Sequence, residues 1–272
     1  MPGRLLARHL VPGAVAVLFA LPLWFMLAGS LRPSGVPPPQ GLELLPAAPT
    51  LEAYARLPLL VPLWTYLRNS LLVVAMAVPL TVLVASWAGF GIRLLRRRGR
   101  RVAVGISLVA LMVPVTAVWA TRFEVFRLIG AVDTLAPLVA PAAFGTTPFY
   151  ALLYAWSFTG IRQTQIDSAR LEGASAWQIW RRIALPQARH VTLAVAVLAF
   201  TVHWGNFIDP LLYLQSQDRF TLPLGLRFLQ LLNPTDWPVL LAGAVVVTLP
   251  PVVVFLGAQR WLLGRWVLGV RR

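Results

Sequence analysis

Few side chains in this sequence are equipped for chemistry, and their spacing limits which kinds. The nine acids are dispersed, whereas holding magnesium for phosphate transfer needs clustered carboxylates. The three histidines, His9, His190 and His203, fit neither the HExxH spacing of a zinc protease nor a Ser/His/Asp set. With no cysteine there are no disulfides, thiolate nucleophiles or thiolate metal sites. There is no lysine either, since all 24 basic residues are arginine. A nucleotide-binding loop whose lysine reaches the β and γ phosphates therefore cannot come from this chain. An enzyme is not expected, no cofactor or metal is expected on the chain, and any ATP must be held by another subunit. Two polar groups remain. Asp167 and Glu172 lead into Gly173, and His203, Trp204, Asn206 and Asp209 cluster in a stretch that is otherwise apolar.

What must position them is set by composition. Of 272 residues, 58% are apolar and only 12% charged, about half the roughly 25% charged content of soluble domains. The mean hydropathy of +0.73 at this length exceeds what one water-soluble core could bury. A bilayer core needs roughly 20 apolar helical residues, and six runs qualify: 10–31, 69–92, 102–121, 135–158, 191–214 and 238–259. Only the fifth contains a charge, Asp209. The first is too long for the h-region of a signal peptide and reads as an anchor helix. Prolines within the runs, among them Pro22, Pro79, Pro114 and Pro250, predict kinked helices whose freed carbonyls are satisfied by neighbours.

Six spans put both termini on one side, and the arginines identify it as the cytoplasm. That side receives Arg4 and Arg8, the run from Arg93 to Arg101, the arginines of residues 159–190, and Arg260, Arg265, Arg271 and Arg272. On the other side Arg32, Arg56, Arg68, Arg122, Arg127, Arg219 and Arg227 are matched one for one by acids. The net charge of +15 therefore lies entirely inside, where anionic headgroups account for it without nucleic acid. The expected location is a bacterial or archaeal cell membrane. The outer stretch 32–68, with a short amphipathic piece at 51–57, reads as a cap on the outer helix ends. The basic turn 93–101 reads as a topology anchor facing headgroups.

The loop 159–190 is too patterned for a linker. Thr164-Gln165-Ile166-Asp167 fits a capping box that opens a helix, and Ser175-Ala176-Trp177-Gln178 fits a second. Gly173 suits the left-handed position that ends a helix, and Leu185-Pro186 should stop the second helix near Ala184. Ala169, Ala174, Trp177, Trp180 and Ile183 give this unit an apolar face that needs cover, from the protein's own helix ends and headgroups or from a partner.

At this point the residues resemble a known family. Asp167-Ser168-Ala169-Arg170-Leu171-Glu172-Gly173-Ala174, followed by Ile183-Ala184-Leu185-Pro186, looks like the EAA loop of binding-protein-dependent ABC importer permeases. The similarity points to the carbohydrate-uptake branch that includes the smaller permease of the maltose transporter. Asn69-Ser70-Leu71, Met112-Val113-Pro114, the stretch Gly130 to Thr134, Trp204-Gly205-Asn206-Phe207 and Thr221-Leu222-Pro223-Leu224-Gly225 agree with it, so it covers nearly the whole chain. Departures are Asp167 for the usual Glu, Ser168 for the first Ala and Glu172 for the usual Asp. The resemblance implies an all-α, six-span, type I importer-like permease forming a single domain, with 159–190 as its coupling loop. It implies a second permease subunit, two ATP-binding subunits that use ATP and magnesium, and an extracytoplasmic solute-binding protein, for sugars or related polyols. Asp167, Ala169, Glu172, Gly173, Ala174, Ile183, Leu185 and Pro186 would form the coupling element. His203, Trp204, Asn206 and Asp209 are candidates for the solute pathway. The alternative is a secondary transporter driven by an ion gradient, for which Asp209 would have to titrate or coordinate the ion.

Overall fold

The computed structural model describes residues 2–38, 41, 43–145, 147–232 and 235–263, with side chains from 10 to 261 within those ranges. Of the inward arginines above, Arg265, Arg271 and Arg272 lie outside the described residues, as do the side chains of Arg4 and Arg8. Among the described residues every regular element is helical: α1 (Pro2–Ser30), α2 (Glu52–Leu60), α3 (Leu63–Leu94), α4 (Arg97–Met112), α5 (Trp119–Leu128), α6 (Ala136–Ala143), α7 (Pro148–Ser157), α8 (Gln163–Leu171), α9 (Ala176–Gln187), α10 (Arg189–Trp204), α11 (Ile208–Tyr213), α12 (Leu222–Leu232) and α13 (Trp237–Leu263). Four helical stretches are long and apolar enough to cross a bilayer, or six if each of two sharply bent pairs counts as one crossing.

Three of the expected runs differ from continuous helices; the fourth is interrupted between α6 and α7, with Gly145 at φ 62°. The third breaks at Val113-Pro114, where α4 meets the segment leading into α5 at 84°. Proline forces the residue before it out of the α region, and Val113 is extended at ψ 117°. The fifth stops at Trp204, and Asp209 falls in the first turn of the separate short helix α11. By contrast α1 and α3 run straight through Pro22 and Pro79.

The chain forms two compact units, Met1–Leu67 with Leu222–Pro250, and Arg68–Thr221 with Pro251–Arg272. In the first, the proline-rich stretch after α1 is tied down by side chains. Trp24 Nε1 donates to the Leu44 carbonyl at 2.9 Å, and Ser30 Oγ lies 2.7 Å from the Tyr54 hydroxyl. Arg32 pairs with Glu43 at 2.7 Å, and Arg56 reaches Asp236 at 3.2 Å. Asp236 also accepts the Gly35 N–H at 3.3 Å. The amphipathic piece is α2, whose Ala53 and Leu57 are fully buried.

The second unit is built around an aromatic core of Phe90, Tyr154, Phe158, Ile166, Ile179 and Trp180. Gly89 makes it possible: a Cβ there would stand 2.5 Å from Tyr154 Cβ and 2.7 Å from the Ala151 carbonyl, so only glycine lets α3 lie this close to α7. Asn69, in the motif noted above, donates from Nδ2 to the Asp218 and Phe220 carbonyls at 2.9 and 3.0 Å. It thereby anchors the segment before α12.

Candidate functional site

The loop 159–190 folds as two helices meeting at a turn. Gly173 has φ +82°, its N–H donates to the Arg170 carbonyl at 3.0 Å, and the Ala174 N–H donates to the Ala169 carbonyl at 2.9 Å. These are the two bonds of a Schellman ending. The second capping box is present: the Gln178 N–H donates to Ser175 Oγ at 3.3 Å and the Ser175 N–H to Gln178 Oε1 at 2.7 Å. The first is not. Helix α8 starts two residues earlier, at Gln163 with Arg162 as its N-cap and no side-chain cap. Thr164 therefore lies inside the first turn, and Asp167 accepts from Gln163 Nε2 at 3.0 Å instead.

The second helix also outruns its expected end. Residues Trp180–Ala184 form a π turn and the helix continues through Leu185-Pro186 to Gln187. In an α-helix the Pro186 ring would crowd the carbonyl four residues back; a wider turn immediately before it relieves that clash. The chain then bends by 84° at Ala188 into α10.

The chain's own helices cover most of the apolar face, although Trp177 stays 47% exposed. Trp180 is 3% exposed, with its ring 5.3 Å from Trp87 and 4.6 Å from Trp177. Ala169, Ala174, Ile183 and Leu185 pack on the same core. Arg93 completes the seat: Nε donates to the Phe158 carbonyl at 3.1 Å, and Nη2 donates to the Ile161 carbonyl at 3.3 Å and to Gln163 Oε1 at 3.2 Å. This arginine is a clamp on the loop's entrance rather than a headgroup anchor, and its partners, 65 to 70 residues away, leave no local signal.

What remains exposed is mixed: Leu171, 90% exposed, and Trp177 stand beside polar and small residues. Asp167, Glu172, Gly173 and Pro186 face outward. Between α8 and α9 lies a concavity of about 540 Å³ lined by Thr164, Gln165, Ser168, Glu172, Arg182, Pro186 and Gln187, with Ala169 and Ile183 at its base. The Asp167–Arg170 pair, at 3.9 Å and half exposed, contributes about 0–1 kcal/mol. A Cβ on Gly173 would meet nothing within 4 Å, so the turn stands clear of its own chain.

The other candidate residues meet at a cavity of about 550 Å³ between α3, the bent α4–α5 pair, α6, α7 and the end of α10. His203, Asn206 and Asp209 line it; Trp204 does not. That ring is 1% exposed and stacked on Phe200 at 5.6 Å, so it belongs to the packing behind the cavity. Asn206 Nδ2 donates to Asp209 Oδ2 at 2.9 Å, and the Asp209 N–H returns to Asn206 Oδ1 at 3.1 Å. Arg122, treated above only as one of the outer charges, also lines the cavity and stands 3.6 Å from Asp209. Its guanidinium lies 5.8 Å from the centre of the Tyr213 ring. The break at Pro114 places it there, which no reading of a continuous helix would do. Beside this cluster Asp133, at φ 62°, accepts the N–H groups of Gln215 and Ser216 at 2.9 Å and the Ser216 hydroxyl. Those bonds, the Ser216 hydroxyl's first, hold its carboxyl below the usual carboxylate range. Among the described residues no three acids or histidines converge to hold a metal ion.

A family model described as the binding-protein-dependent transport system inner membrane component matches residues 77–267. The chain belongs to this family. The permease is 28% identical over 258 residues to the arabinooligosaccharides transport system permease protein AraQ of Halalkalibacterium halodurans, covering 94% of this chain and 92% of that one. It is 29% identical to the lactose transport system permease protein LacG of Rhizobium radiobacter over 71% of this chain and 70% of LacG. It is 26% identical to the maltose/maltodextrin transport system permease protein MalG of Vibrio parahaemolyticus over 98% and 95%. The permease also shares its fold with a chain of a bacterial ABC transporter involved in the import of the acidic polysaccharide alginate. There the TM-score is 0.78 at 20% identity, over 94% of this chain and 95% of the other. A second alginate transporter structure, in complex with an alginate pentasaccharide-bound periplasmic protein, gives a TM-score of 0.65 at 16% identity, over 93% and 92%.

Proposed function

We propose that this chain is one of two permease subunits of an ATP-driven importer for sugars or related polyols, with six membrane crossings and both termini in the cytoplasm. Two ATP-binding subunits receive the α8–α9 loop, and a solute-binding protein delivers the cargo from outside. Asp167, Glu172, Gly173 and Pro186 face the ATPase, while Ala169, Ala174, Ile183 and Leu185 tie the loop to the permease core. The solute passes the cavity at His203, Asn206 and Asp209. The sugar class follows the relatives' oligosaccharide and disaccharide substrates.

One observation carries the coupling role: a turn closed by both bonds of its helix ending projects Gly173 clear of its own chain, beside a concavity lined by Glu172 and Arg182, while Ile166, Ile179 and Trp180 tie the unit to the core. Such an element transmits displacement and needs no catalytic group. Gly173→Trp tests it, because a side chain there touches nothing in this chain and its intrinsic cost is only the left-handed backbone, about 1–2 kcal/mol. Expected is a folded permease that no longer co-purifies with its ATPase subunit and no longer supports uptake. Retention of both would overturn the assignment. The ion-gradient alternative is weakened by Asp209, whose carboxylate is engaged by Arg122 and Asn206. Uptake by the chain alone, in vesicles given only a proton or sodium gradient, would restore it.

A further inference from the structure

The cavity lining is mostly apolar, and only two of its side chains carry a formal charge, Arg122 and Asp209. Both are largely withdrawn from solvent, their side chains 21% and 16% exposed. Charges in such a place are costly unless paired, and here they are paired with each other at 3.6 Å. The pairing is incomplete. Arg122 Nη2, the buried nitrogen that faces Asp209, makes no hydrogen bond, while Asp209 is held in place by Asn206. The result is a fixed acceptor and an unsaturated donor side by side, with no net charge.

Resting on the importer reading above, we propose that Arg122 and Asp209 form a charge-balanced selecting pair that takes a neutral polyhydroxylated solute and turns away a carboxylated one. A hydroxyl donates to Asp209 and accepts from Arg122 in the same act, so a neutral sugar satisfies both groups without separating them. A carboxylate must instead draw Arg122 away and leave Asp209 beside a second negative charge in a largely apolar cavity, a placement that is strongly disfavoured. Arg122 is thus a specificity residue, with its selectivity set by the acid opposite it.

The test uses the whole importer complex in nanodiscs without its solute-binding protein, so that upstream selection cannot mask the cavity. Arabinotriose and trigalacturonate are titrated separately at pH 7, and binding is read by saturation-transfer NMR. Wild type should bind arabinotriose, with trigalacturonate at least roughly ten-fold weaker. Asp209→Asn leaves Arg122 uncompensated and should reverse that order. Equal binding of the two trisaccharides by wild type, or unchanged rejection of trigalacturonate by an assembled Asp209→Asn complex, overturns the proposal. The wild-type comparison decides the matter even if the variant fails to assemble. ATP-driven uptake, measured on the same wild-type complex with the solute-binding protein restored, reports on the importer reading separately. If uptake persists while neither trisaccharide binds, the cavity is not the selecting site and the inference falls alone.

Discussion

Two places in the second compact unit turn the chain through the same 84°, and they distribute polarity in opposite ways. At Ala188 the bend joins a segment that buries Trp180 and Ile179 in the core with Phe90 and Phe158 and turns most of its polar residues out. At Val113-Pro114 the bend opens a cavity, and the polar groups, Arg122 with Asn206 and Asp209, turn towards it. The first region gains rigidity from filled volume and presents a surface. The second gains an enclosed space at the expense of packing, and holds its polar residues by bonds to one another. In the proposed function the first is the docking element and the second the passage, and the two roles call for these opposite solutions.

The largest expected effect that separates the two is Trp180→Ala. Removing a buried tryptophan costs about 3–5 kcal/mol, and hydrogen exchange should rise across residues 163–187 while the Arg122–Asp209 end keeps its protection. Equal loosening at both ends would break the distinction. Next is Arg93→Ala, which strips charged donors from two carbonyls and an amide and should cost about 1.5–3 kcal/mol, read as a lower melting temperature. Lysine at this position should recover only part of it, because a single ammonium cannot reproduce the guanidinium fork. The smallest effect belongs to the cavity end. Asp133 is held below its ordinary value, so its bonds to residues 215 and 216 stabilise the fold above the unfolded carboxyl's value of about 3.9. That contribution is lost as pH falls through the folded value. Asp133→Asn should lower the melting temperature at pH 7 and flatten its decline below pH 4. A variant with the wild-type pH dependence would assign that decline to other acids.

What could be read from the sequence was whatever is decided locally. The Gly173 ending and the Ser175–Gln178 box depend on residues within a few positions of one another, and both are present. Four of the six expected runs were legible from hydropathy as stretches able to cross a bilayer, while the sharp bends in the other two were not. Pro79 and Pro114 look alike as sequence, yet the helix runs through one and turns at the other; the difference lies in tertiary neighbours. Arg93 and Arg122 were counted as charges when their roles depend on carbonyls and a carboxylate far along the chain. Trp204 was a candidate for the solute pathway by its place beside His203 and Asn206, but its burial behind the cavity is a matter of helix phase at the end of α10.

The five residues Trp180–Ala184 carry one more than a regular turn would hold. A helix in that state has slack wound into it. Letting the extra residue slip out and the turn tighten would swing Leu185, Pro186 and Gln187 about the axis by about 100° relative to Ser175, without breaking the core contact of Ile179. Any displacement passed along the chain from Gly173 to α10 must cross this turn.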